Sequence, residues 1–139
     1  MNTLQHTYKN EIFSDIMKAQ FRKYLDKVYN NYNSVLDIER KVEGDNLIIY
    51  KIHRTKILAK TMFFVEKVII NRKNKTYNSC INTRVYKEEC VIKQNNENVD
   101  YIQHHSAPFF MKKNKLKAFN KGCEVIENIL KQFKTERNI

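Results

Sequence analysis

The spacing of apolar residues changes period twice along this chain, and that change constrains the fold more than any motif. Phe13, Ile16, Met17, Phe21 and Tyr24 recur at three- and four-residue steps, which makes one stripe on a helix. From residue 35 the period becomes two. Ile48, Tyr50, Ile52 and Arg54 alternate with Leu47, Ile49, Lys51 and His53, the pattern of a strand with two distinct faces. The segment 62–71 (MFFVEKVIIN) is nearly all β-formers, and Tyr77, Ser79, Ile81, Thr83 and Val85 alternate again. Cys90 to Lys93 and Val99 to Ser106 continue the series to Pro108. The step then returns to three and four through Leu116, Phe119, Cys123, Ile126, Leu130 and Phe133, widened by Val125 and Ile129.

These periods predict a helix over about 10–27, a strand series over about 35–106 and a helix over about 114–135. Asn10 offers an N-cap and Glu11 a carboxylate for the positive helix end. The stretch 29–33 reads as a loop. Turn chemistry falls at Glu43-Gly44-Asp45-Asn46, Arg72-Lys73-Asn74-Lys75 and Gln94-Asn95-Asn96-Glu97-Asn98, spaced as hairpins require. Strands in a run, closed by a helix, argue an α+β fold with an antiparallel sheet rather than an alternating α/β fold. One sheet face must bury the helix stripes, and a curved sheet gripping a long helix leaves a natural apolar pocket between them. The 139 residues, 42% hydrophobic and 29% charged, suffice for one domain with a packed core.

Cys80, Cys90 and Cys123 are odd in number and none is spaced as CxxC. Zinc-ribbon, thioredoxin-like and disulfide-scaffold readings fall away. Residues 1–10 lack the apolar centre of a secretory signal, and no apolar run approaches the ~18–20 residues of a membrane span. A soluble protein made in the cytosol is expected. Lys and Arg number 26 against 15 acidic residues, a net charge of +11, which favours anionic partners: nucleic acid, an anionic membrane surface or a lipid headgroup.

Catalytic and metal motifs are weak. His104 and His105 are adjacent on a strand, so they point to opposite faces and cannot readily share a metal. Two glycines do not build a phosphate loop. Ser14, Ser34, Ser79 and Ser106 lack a nucleophile elbow. Glu66 and His53 are the strand residues that acid–base chemistry would use. The cations form two sets. Lys112, Lys113, Lys115, Lys117 and Lys121 crowd the start of the last helix, and Lys51, Arg54, Lys56 and Lys60 follow the strong strand. They read either as a solvated face or as captors of a phosphate at the pocket mouth. No RNP-like or helix-turn-helix pattern occurs.

Several motifs in order resemble the PRELI-like (slowmo) family of lipid-transfer proteins. They are Phe13-x-x-Ile16-x-x-Ala19-x-Phe21-Arg22-Lys23-Tyr24, preceded by His6 and Tyr8; Ile38-Glu39-Arg40; and Asp45-Asn46-Leu47 running to Lys51 and Arg54. Phe64 to Asn71 with Lys75-Thr76-Tyr77, Asn82-Thr83 with Glu88-Glu89-Cys90, and Asn120-Lys121-Gly122-x-Glu124-x-Ile126-Glu127 complete the set. The similarity runs from about Gln5 to Leu130. The chain departs from that family where Tyr24 is followed by Leu25-Asp26-Lys27 instead of Pro-Asn-Pro. It also lacks the lid with its Leu-Pro-x-Trp motif between Arg54 and Phe63, and it has Ala118 where the family usually has Asn.

The resemblance implies a START-like helix-grip fold, a curved antiparallel sheet around a long C-terminal helix. It implies phospholipid transfer, of phosphatidic acid or phosphatidylserine, across the mitochondrial intermembrane space or within a mitochondrion-derived organelle. It also implies a small helical partner carrying paired cysteines. Headgroup binding is expected at Lys23 and Lys121, which match family positions, and at Arg54 and Lys117 from charge and placement. The pocket is expected to be lined by Ile48, Tyr50, Ile52, Leu116, Phe119, Cys123 and Ile126. The reading requires no cofactor, no metal, no catalytic step and no nucleic acid. The alternative is a basic, non-catalytic module that binds RNA or a protein.

Overall fold

The computed structural model describes residues 1–23, 34–57 and 59–138, with the backbone alone at 34, 35, 37 and 55–57. The elements are β1 (Asn2–Tyr8), α1 (Phe13–Lys23), β2 (Ser34–Glu43), β3 (Asn46–Ile57), β4 (Lys60–Asn71), β5 (Thr76–Asn82), β6 (Lys87–Asn95), β7 (Asn98–His105), a 3₁₀ turn (Phe109–Met111) and α2 (Lys112–Arg137). The strands form one antiparallel sheet in the order β1-β7-β6-β5-β4-β3-β2. This is a helix-grip fold: a curved seven-stranded sheet with α1 and the long α2 on one face. The three turn segments read from sequence close the β2–β3, β4–β5 and β6–β7 hairpins. The loop reading at 29–33 lies outside the described residues, as does the end of the first helix beyond Lys23.

The start of α1 differs from expectation. Asn10 is left-handed, at φ 54°, so it cannot cap the helix. The first helical bonds close instead on the Ile12 carbonyl. A distant side chain takes over the capping: Gln94 on β6 accepts from the Phe13 N–H at 2.7 Å and donates to the Glu11 carbonyl at 3.1 Å. A tertiary partner thus satisfies a helix-end donor that local sequence was expected to satisfy.

The core lies between the sheet and the two helices. Tyr8, Ile49, Val68, Ile70, Tyr77, Ile92 and Val99 meet Phe13, Ile16 and Met17 of α1 and Val125, Ile126, Ile129, Leu130 and Phe133 of α2. Charge closes the helix pair at its rim. Lys134 bonds Glu11 at 2.7 Å and Arg137 bonds Asp15 at 2.6 Å, and both carboxylates are buried. The Arg22 guanidinium lies 4.6 Å from the Phe133 ring centre.

Candidate functional site

Directly opposed residues of antiparallel neighbours share a face, so the register sorts every strand residue. Ile49 pairs with Val68, Val68 with Ser79, Ser79 with Cys90 and Cys90 with Gln103. That row faces the helices. The next row toward the start of α2 is Lys51, Glu66, Ile81, Glu88 and His105. Four of its five members are polar or charged, and all five are buried. The grip is therefore apolar where α1 and the second half of α2 cover it, and polar beneath the first half of α2.

Each buried charge in that row has a partner. Glu66 bonds His53 Nε2 at 2.8 Å and faces Lys51 across the strand pair. Burial works to raise the Glu66 carboxyl, but His53, Lys51 and Ser79 together outweigh it and hold the group below its ordinary range. Glu88 is bridged by Lys115 from α2 and by the Tyr86 hydroxyl at 2.7 Å. Burial also pushes the Cys90 thiol up to about 12, helped by Glu88. Gln103 donates to Cys90 Sγ and to the Tyr101 hydroxyl, both at 3.4 Å, while its carbonyl oxygen has no partner. The Tyr101 ring packs on Phe119 at 4.9 Å. His105 is 2% exposed and accepts the Ala107 N–H on Nδ1 at 3.1 Å, whereas His104 bonds Thr3 on the other face. No cluster of metal-ligating side chains occurs among the described residues.

The expected pocket residues divide. Phe119, Cys123 and Ile126 are buried on the gripping face of α2. Leu116 is 46% exposed at its edge. Ile48, Tyr50 and Ile52 do not line the grip: strand alternation places them on the outer face, opposite Ile69, Lys67 and Val65. The gripping residues of β3 are Leu47, Ile49, Lys51 and His53. Both sets contain branched apolar side chains, so the alternation revealed two faces without saying which one the helix covers.

The four expected headgroup cations do not converge. Lys23 is buried at the end of α1, close enough for its charge to act on the Cys123 thiol. Arg54 is exposed on the outer face opposite Phe63. Lys121 points to solvent beside Glu124 at 3.7 Å, and Lys117 is exposed one turn earlier.

A different constellation stands at the open end of the grip. The 3₁₀ turn exposes Phe109 by 87% and Phe110 by 67%, and Val85 in the β5–β6 turn is exposed by 69%. The two segments adjoin because Lys115 lies over the Tyr86 ring, 5.5 Å from its centre. Lys112, Lys113 and Lys117 on α2 and Arg84 in the turn surround them, and none pairs with a described carboxylate. The first turn of α2 contains no acid. Cations at a helix N-terminus oppose the macrodipole and weaken a helix by ~0.3–1 kcal/mol each, so this clustering does nothing for helix stability.

No protein-family model matches the sequence, and neither does any curated protein. Solved structures match over nearly the whole chain at low identity. A protein of Thermus thermophilus, TTHA0849, superposes with a TM-score of 0.60 at 12% identity, over 94% of this chain and 95% of that one. Ara h 8.0201 gives 0.58 at 11%, over 94% and 98%. The di-domain aromatase/cyclase StfQ of the steffimycin pathway gives 0.60 at 5%, covering all of this chain and 47% of its own. At these identities the likeness establishes the helix-grip fold.

Proposed function

We propose that this chain holds an anionic phospholipid in the helix grip and carries it between membranes, meeting the bilayer with the tip formed by Phe109, Phe110 and Val85. The tip is the observation that supports the reading. Aromatic and branched side chains project beyond the mouth of the grip, ringed by Lys112, Lys113, Lys117 and Arg84. Phe side chains flanked by Lys and Arg bury into the boundary between headgroups and acyl chains, and each nearby cation contributes about 1 kcal/mol at an anionic surface. Phe109 and Phe110 are able to stack on bases, but Val85 beside them is not, and a tip that mixes aromatic and aliphatic side chains favours a lipid surface over single-stranded nucleic acid. Phosphatidic acid as cargo, a mitochondrial setting and a small helical partner rest on the motifs that resemble the PRELI-like family. Carriage needs no covalent step.

The test pairs cargo with docking. Native mass spectrometry of the purified protein, followed by lipid extraction, is expected to find an anionic phospholipid near one to one. Sedimentation with phosphatidic acid-containing vesicles is expected to fall at least about tenfold for Phe109→Ser/Phe110→Ser, since each Phe removed from an apolar phase forfeits ~1.5–3 kcal/mol. An empty protein that stays empty after incubation with those vesicles defeats carriage. Unchanged sedimentation defeats the tip, and tight salt-sensitive binding of a single-stranded RNA in its place makes the alternative module the better reading.

A further inference from the structure

A second constellation lies at the other end of the sheet, by the hairpin turns. A cleft of about 470 Å³ runs along the flank of α1. That volume is in the range of small-molecule sites, ~300–1,000 Å³. Its walls are Ile12, Phe13, Met17, Phe21, Leu47 and Ile70, and its rim carries Lys18 on α1 with Arg72 and Lys75 in the β4–β5 turn. Lys18 comes from the helix, and Arg72 and Lys75 from one turn that faces it; all three are exposed, and they pair with no described carboxylate. An apolar trough with one cationic rim is complementary to a molecule with an aliphatic chain and one anionic end.

The walls are pre-organised. Gln94, also in the lining, ties α1 to the β6–β7 turn through Phe13 N–H, the Glu11 carbonyl and the Asn96 and Asn98 carbonyls. The rim carries its own sign of use. Lys75 sits at φ 53°, in the left-handed region where Gly or Asn is the economical choice. Among the described residues Asn10, Gly44 and Asn96 fill that conformation elsewhere, as does Ala59, and Lys75 is the one charged side chain that does. A lysine here keeps a charge at the cleft against the preference of the backbone.

We propose that this cleft binds a single-chain anionic amphiphile, a long-chain carboxylate or alkyl phosphate. The chain lies on Met17, Leu47 and Ile70, and the anionic group bonds Arg72, Lys75 and Lys18. The site is remote from the tip, because β5 separates the turn bearing Lys75 from the turn bearing Val85. It therefore goes beyond the carrier reading and does not depend on it.

Titration of the isotopically labelled full chain with dodecyl phosphate, followed by NMR, tests the proposal. Inorganic phosphate and dodecyl maltoside serve as the charge-only and chain-only arms. The expected result is saturable perturbation of the Met17, Leu47 and Ile70 methyls by dodecyl phosphate, with each single-feature probe weaker by at least about tenfold. Arg72→Gln/Lys75→Asn, both at exposed positions and with Asn suited to the backbone, is expected to weaken dodecyl phosphate by at least about tenfold and leave vesicle sedimentation through the tip unchanged. Equal affinity for dodecyl maltoside, an unaffected double variant, or perturbation confined to Ile81, Tyr101 and Phe119 in the grip overturns it. Failure here leaves the vesicle and cargo results standing, and the reverse holds too.

Discussion

Lys115 joins the first half of α2 to the sheet, and removing it should open the grip. Its ammonium meets Glu88 on β6 with the Tyr86 hydroxyl alongside; the Lys115 side chain is 25% exposed and the Glu88 side chain 9%. Breaking a buried pair from one side costs ~3–5 kcal/mol, because the other charge stays buried alone. The partial exposure of Lys115 lets water reach the pair, so we expect Lys115→Met to lose about 2–4 kcal/mol. With a urea slope of ~1–3 kcal/mol per molar, the midpoint falls by roughly 1–2 M. Adding Glu88→Leu removes the stranded carboxylate and restores at least about half of that loss, since apolar replacement of a buried pair is close to neutral. Hydrogen exchange locates the effect. Amides of the first three turns of α2 are expected to lose protection, while those of Val125 to Phe133, packed on α1 and the core, keep it. A single variant that loses under about 1 kcal/mol, or a double variant as unstable as the sum of its parts, refutes the latch.

Burial and the neighbouring Lys115 charge hold the His105 ring below its ordinary value. A histidine depressed in the folded state removes stability as the pH drops below ~6.5, where the unfolded chain binds the proton. Denaturation midpoints should decline from pH 7 toward 5 and flatten in His105→Asn; no difference between the two would refute this. The depressed Glu66 carboxyl acts in the lower window. Its stability is complete above ~4.3 and lost as pH falls further, so Glu66→Gln should flatten the acid limb of an unfolding curve measured below pH ~4.5. Of the three thiols Cys80 is exposed while Cys90 and Cys123 are buried with raised values. A thiol reagent at pH ~8 should titrate one group quickly and the other two only in denaturant. Lys75→Gly should raise the melting temperature by a few degrees, as removing a left-handed side chain relieves about 1 kcal/mol.

Much of the architecture was legible because it is written in spacing. The period of two from residue 35 to 106, the three turn clusters and the closing stripe together placed the hairpins and the gripping helix. The phase of the strands was not legible. Ile48 and Ile52 are as apolar as Leu47 and Ile49, and only the packing of α2 decides between them. The sites were obscured by the same choice. Lys51, Glu66, Glu88 and His105 look like solvated strand residues until they are read in phase with Ile49, Val68 and Ile92, the signal that would have found them. Lys23 looks like an exposed helix-end cation, and nothing local announces that it is buried with its charge near Cys123 of α2. The rim of the α1 cleft assembles from Lys18 and the distant turn bearing Arg72 and Lys75, and the exposed Phe109-Phe110 pair follows a proline that marked only the end of the strands.

The pairing of β1 with β7 sets the order in which the molecule can be made. Leu4 finds its partner at Gln103, and Glu11 finds Lys134 across 123 positions of chain. Strands β2 to β7 close through neighbours in sequence and can assemble as they emerge, whereas β1 has its strand partner only when β7 arrives, and α1 its ion pairs only when the end of α2 does. At ~5–20 residues per second of synthesis, the first strand waits roughly 5–20 s. Through that interval the nascent chain displays an unpaired β1 and an uncovered core face, the surfaces on which chaperones act. The long-range closure of β1 on β7 and of Glu11 on Lys134 therefore belongs late in folding, and the core face stays uncovered until α2 docks.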